Sequence, residues 1–170
     1  MKTKKILTTA YTYRLRFFAS FVAISLALVL GLSSSPRSAM AFSGCQKVKG
    51  TEIAAFTSPT TVEGTVTQGG ILNGSTLAVL TSAPLPTADP NIFSFTIAKS
   101  FMTDKGVLQT YSPHILEVTT GVGTAFARID PNASSGIFAG ATGILYINFY
   151  QNDDGVTSTS EVSGEICFAN

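Results

Sequence analysis

An all-β domain closed into a small antiparallel barrel is the fold this sequence predicts, and three observations carry the prediction. After Ala41 no segment longer than two turns repeats apolar residues at i, i+3, i+4 and i+7, the stripe an amphipathic helix needs. Short runs in which apolar and polar residues alternate recur instead. They are rich in Thr, Val, Ile and Phe and are separated by Gly, Pro, Asn or Asp. The two cysteines, Cys45 and Cys167, stand at opposite ends of that stretch, so a bridge between them would tie first strand to last. Eight or nine runs in up-and-down order favour an eight-stranded up-and-down barrel over an open sheet, because closure removes unpaired edges. The competing architecture is a β-sandwich of the immunoglobulin type, which the absence of Trp and of a mid-chain cysteine pair disfavours.

Residues 1–41 read as an export signal. Lys2, Lys4, Lys5, Arg14 and Arg16 form a positive leading region, Phe17 to Leu32 is an apolar run, and Ala39-Met40-Ala41 puts small residues where a signal peptidase reads. Sixteen apolar-run residues fall short of the ~20 that anchor a chain across a bilayer. Cleavage after Ala41 is expected, leaving 42–170 as one β-barrel domain, secreted or periplasmic, with no stable membrane anchor. A lipoprotein is the alternative, since Phe42-Ser43-Gly44-Cys45 loosely resembles a lipobox. Phe replaces the usual aliphatic residue there, and Cys45 lies thirteen residues beyond Leu32 rather than beside the apolar run. A Cys45–Cys167 disulfide is therefore the preferred reading.

Without the signal, five basic side chains face ten acidic ones, a net charge of minus five. A nucleic-acid surface needs a clustered basic patch, so no nucleic-acid partner is expected. The 129 residues from Phe42 to Asn170 match one domain with one core.

Taken in order, Gln46 to Phe56 and Thr60 to Gln68 form a first pair of strands with Pro59 at the boundary. Gly69-Gly70 turns the chain into Ile71 to Ser82, interrupted by Asn73-Gly74. Pro84, Pro86 and Pro90 each lack a ladder donor, which makes their segment a loop or an edge crossing. Ile92 to Thr103 is the clearest strand, with Phe93, Phe95, Ile97, Lys99 and Phe101 on one face and Ser94, Thr96, Ala98 and Ser100 on the other. Asp104-Lys105-Gly106 turns into Val107 to Tyr111, and Pro113 is expected to break the ladder before His114 to Thr120. Gly121 and Gly123 lead into Thr124 to Asp130, and Pro131-Asn132-Ala133 is a turn. The stretch Ser135 to Gln151 is expected to be a strongly bent strand from Gly136 onward, its glycines marking the bend. Asn152-Asp153-Asp154-Gly155 joins it to Thr157 to Phe168 by a hairpin.

Three stretches within this pattern resemble the allene oxide cyclase and dirigent barrel superfamily, and its exported bacterial members most closely. They are Gly121-x-Gly123-Thr-Ala-Phe126, Ser135-Gly-Ile-Phe138-Ala-Gly140-Ala-Thr-Gly143-Ile-Leu145 and Ser163-Gly164-Glu-Ile166-Cys167-Phe168. The resemblance covers the last third closely; Glu63-Gly64 to Gly74 and Lys105-Gly106-Val107-Leu108 match more loosely. It implies an eight-stranded barrel with an apolar cavity, often in dimers or trimers. It also implies either cyclisation of an unsaturated fatty-acid epoxide or polyene, or steering of phenolic radical coupling. The catalytic carboxylates of the plant enzymes do not align residue by residue, so none is assigned through the resemblance.

Chemistry-bearing residues are sparse. The glycines from Gly136 to Gly143 lack a following Lys-Ser/Thr and continue into a strand, so they read as a bend rather than a phosphate loop. His114, the only histidine, follows a Pro at a strand start and reads as a rim residue rather than a general base. One histidine and two bridged cysteines leave no zinc set, and Asn152 to Gly155 is a preferred turn, so no metal is expected. Polar groups among apolar strand residues are the candidates: Lys99 on the phenylalanine face, and Glu117 with Arg128 as an inward catalytic pair, since a buried charge needs a partner. Phe93, Phe95 and Phe101, with Tyr146, Asn148 and Tyr150, are candidates for lining a ligand cavity; the phenylalanine face reads equally as solid core or as a surface buried between subunits.

The function expected is binding of a small hydrophobic molecule, a lipid, polyene or phenolic, inside the barrel and without a cofactor. A cofactor-independent cyclase or isomerase and a structural protein of the cell envelope with a filled barrel are the alternatives.

Overall fold

The computed structural model describes residues 44–169; the export signal read over 1–41 lies outside them. Nine strands form one antiparallel sheet: β1 Gly44–Ser58, β2 Thr61–Thr67, β3 Gly74–Leu80, β4 Leu85–Pro86, β5 Ile92–Thr103, β6 Gly106–Glu117, β7 Val122–Ile129, β8 Thr142–Gln151 and β9 Thr157–Phe168. Eight of them close into a barrel. Its order runs β1, β2, β3, β5, β6, β7, β8, β9 and back to β1, and β4 is a two-residue edge on β5 beside Phe93 and Ser94. The proline-rich stretch thus supplies only that edge.

β1 and β5 each carry ladders on both sides that close the barrel. β1 pairs β2 through its second half and β9 from Gly44↔Phe168 to Ala55↔Thr157. β5 carries β3 on Ile97 to Thr103 and β6 along its whole length. Cys45 and Cys167 are register partners and are bonded to each other.

Pro113 does not end a strand. β6 runs through it from Gly106 to Glu117, and the ladder to β5 is continuous, with Thr96 opposite Pro113. The missing N–H leaves its mark on the other side, where the ladder to β7 skips Ser112 and Pro113 and resumes at His114↔Ala125 in the same register.

One end of the barrel is packed solid. Phe101, Leu108, Ala127, Leu145, Val162 and Ile166 point inward there and are fully buried. Two short 3-10 turns, Gly70–Leu72 and Gly136–Phe138, bring Ile71, Leu72 and Phe138 into the same cluster. The second turn corrects the expectation of a bent strand from Gly136, because β8 begins only at Thr142. Gly136 sits at φ +66°, left-handed backbone that ends extended structure, and a Cβ there would lie 2.3 Å from the Lys105 carbonyl oxygen. Backbone contact with the β5–β6 turn, including Ser135 N–H donating to Val107 O at 2.8 Å, sets Phe138 facing inward.

Candidate functional site

The opposite half of the barrel is open. Where the packed end places Phe and Leu inside, β1, β3 and β9 place Ala54, Ala78, Ser158 and Ser160, and a cavity of about 420 Å³ remains. Its walls are apolar, formed by Phe93, Phe95 and Ile97 of β5, Leu116 of β6, and Ile147 and Phe149 of β8. Its rim carries Phe56, Pro59, Pro84 and Val118, all exposed.

Polar groups lie among these apolar walls. Glu52 of β1 and Lys99 of β5 reach toward each other across the lumen, the Lys99 ammonium donating to Glu52 Oε2 at 2.5 Å, with side chains 2 % and 9 % exposed. Thr76, from β3 between them, donates its hydroxyl to Glu52 Oε1 at 2.5 Å. Lys99 Nζ also stands 5.3 Å from the centre of the Phe101 ring, where the cavity meets the packed core.

His114 belongs to the cavity wall and not to the rim. It is 6 % exposed, its Nε2 is 2.9 Å from Ser112 Oγ, and its ring stacks on Phe95 at 5.3 Å and tilts toward Phe149 at 5.6 Å. Burial, and then the nearby Lys99 charge, pull its pKa down to about 4, so at neutral pH the ring is uncharged. The unfolded chain takes up this proton at about 6.5 and the folded chain only near 4, so stability is expected to fall as pH drops through that window. The loss reaches about 3 kcal/mol. Urea unfolding of wild type and His114→Phe at several pH values checks this: the variant should lose that share of the acid sensitivity.

Phe93 and Phe95, which alternation sets on one face of β5, are in the cavity wall. Phe101 shares their face but lies deeper, at 0 % exposure in the packed end. Tyr146, Asn148 and Tyr150 do not face the cavity. Leu145, Ile147 and Phe149 take the inside of β8, and a strand of period two then sends the intervening residues outward. There Asn148 accepts from Thr124 Oγ1 at 2.9 Å, and the Tyr150 hydroxyl donates to Asp153.

Glu117 and Arg128 are not an inward pair either. Arg128 is exposed on the outer face of β7, between the inward Ala127 and Ile129. Glu117, at the end of β6, accepts hydrogen bonds from Thr119 and Thr120 at 2.8 and 3.0 Å. Arg128 pairs with Tyr111, six residues from Glu117 and so roughly 20 Å away along the strand. The inward ion pair is Glu52 with Lys99. Sequence reasoning singles out Lys99 but not Glu52, although Glu52 shares the alternating face of Val48, Gly50 and Ala54 on β1, the same signal that marks Lys99 on β5.

The turn Asn152 to Gly155 spends its oxygens internally: Asp154 takes the Val156 and Thr157 amides and the Thr157 hydroxyl, and those bonds hold its carboxyl below the usual range. Glu165 approaches Cys45 and Cys167, but both sulfurs are in the disulfide and offer no thiolate. No family of proteins, no curated protein and no solved structure matches this chain.

Proposed function

We propose that this barrel binds a small hydrophobic molecule, a lipid, polyene or phenolic, non-covalently in its open half and without a cofactor. The observation that carries the reading is the cavity of about 420 Å³ walled by Phe93, Phe95 and Phe149, within the size range of small-molecule sites. A wholly packed barrel, as a purely structural role would have it, leaves no such space. The disulfide fits an oxidising destination such as the periplasm or the medium, in keeping with the export signal read from the sequence.

Native mass spectrometry of protein purified from its own envelope is expected to find a retained small molecule. Ala78→Phe and Ala54→Leu put bulk into the lumen, and either is expected to abolish retention while the circular dichroism stays that of the wild type. Retention undiminished in both folded variants would refute the assignment.

Glu52 and Lys99 favour a second reading, a cyclase or isomerase of the type the resemblance implies. A buried ionisable pair facing an open cavity supplies proton-handling groups to a flexible substrate that the apolar walls hold in a reactive shape.

A further inference from the structure

The polar side chains of the cavity combine to no net charge. The Glu52 carboxylate and the Lys99 ammonium cancel, and His114 is neutral near pH 7. Both Glu52 oxygens are engaged, one by Thr76 and one by Lys99. An ammonium has three N–H donors. Among the described residues the side-chain hydrogen bond of Lys99 goes to Glu52, and the ammonium also stands over the Phe101 ring, which leaves an N–H without an acceptor. His114 has Nε2 on Ser112, and its Nδ1 takes no hydrogen bond among the described residues. Ser160, the register partner of Glu52 on β9, adds a buried hydroxyl to the lining.

We propose that the molecule held here is uncharged and mostly apolar, and carries one accepting oxygen, as in a ketone or alcohol, seated on the spare Lys99 N–H with its apolar body against Phe93 and Phe95. This rests on the reading of the barrel as a ligand site. A carboxylate would be desolvated beside an ammonium already matched by Glu52, with the Glu52 charge repelling it. A cation would find both Glu52 oxygens occupied. A plain hydrocarbon would cover that N–H and give it no acceptor.

The test displaces Nile red from the full chain, disulfide intact, with 2-undecanone, 1-undecanol, undecanoate and undecane near neutral pH. The ketone and alcohol are expected to bind about tenfold or more tighter than the carboxylate and the alkane. Glu52→Gln keeps an amide for Thr76 and leaves the ammonium unmatched, so the order should reverse in favour of undecanoate. Undecanoate binding as well as the ketone to wild type overturns the neutral-ligand inference while leaving the barrel a ligand site. Failure of Nile red and all four compounds to bind overturns the ligand-site reading itself. Should Glu52→Gln fail to fold, Glu52→Gln/Lys99→Met replaces it: the ketone's advantage over undecane should vanish there, and its persistence would overturn the role given to Lys99.

Discussion

Lys99→Met is expected to destabilise the barrel by about 3–5 kcal/mol, the cost of leaving one member of a buried ion pair alone. Glu52 is 1 % exposed, and without the ammonium only the Thr76 hydroxyl remains to solvate its charge. The chain then has to bury a bare carboxylate or protonate it, and either course draws on a total stability of only about 5–15 kcal/mol. Removing both charges is a different experiment. In Glu52→Leu/Lys99→Met the lumen loses the pair together with its desolvation cost, and most of the lost stability is expected to return. Urea unfolding of the wild type, Lys99→Met and the double variant gives the comparison. A single variant as stable as the wild type would mean that the pair is not held out of water.

Cys45→Ala/Cys167→Ala is expected to lower stability by about 4–5 kcal/mol on the chain-entropy account, because the bond closes a loop spanning 122 residues of the sequence. The effect lies in the unfolded chain. The β1–β9 ladder that brings the two residues opposite each other runs on to Ala55↔Thr157 and should form without the bond. Circular dichroism of the folded variant should therefore match the wild type while its urea midpoint falls. An unchanged midpoint would mean that the unfolded ensemble already keeps the chain ends together.

Much of the architecture was legible because β-structure writes two signals into a sequence. Turn residues set the ends of β5, and alternation placed Phe93, Phe95, Ile97 and Lys99 on one face together. The cysteines pointed to the seam where the barrel shuts. What alternation does not say is which face is inward. On β8 the two sets were Leu145, Ile147, Phe149 and Tyr146, Asn148, Tyr150; aromatic rings with polar tips suit a wet outer surface as well as a cavity, and the purely apolar set went inside. On β1 Glu52 lies among small residues, with no phenylalanine face like that of Lys99 to mark its side of the strand as inward. The 3-10 turn at Phe138 was hidden for another reason: its position depends on backbone contact with the distant β5–β6 turn, which no local pattern records.

The packed end of the barrel carries a consequence for kinetics. With Phe138, Leu72 and Ile71 filling that end, a guest held as proposed would, among the described residues, enter and leave by the open half, so arrival and departure would share one threshold. Pro59 and Pro84 stand at that threshold, and proline's fixed φ makes the doorframe stiff. On that reading, dwell time would turn on the exposed side chains of Phe56 and Val118 at the opening rather than on any parting of the strands.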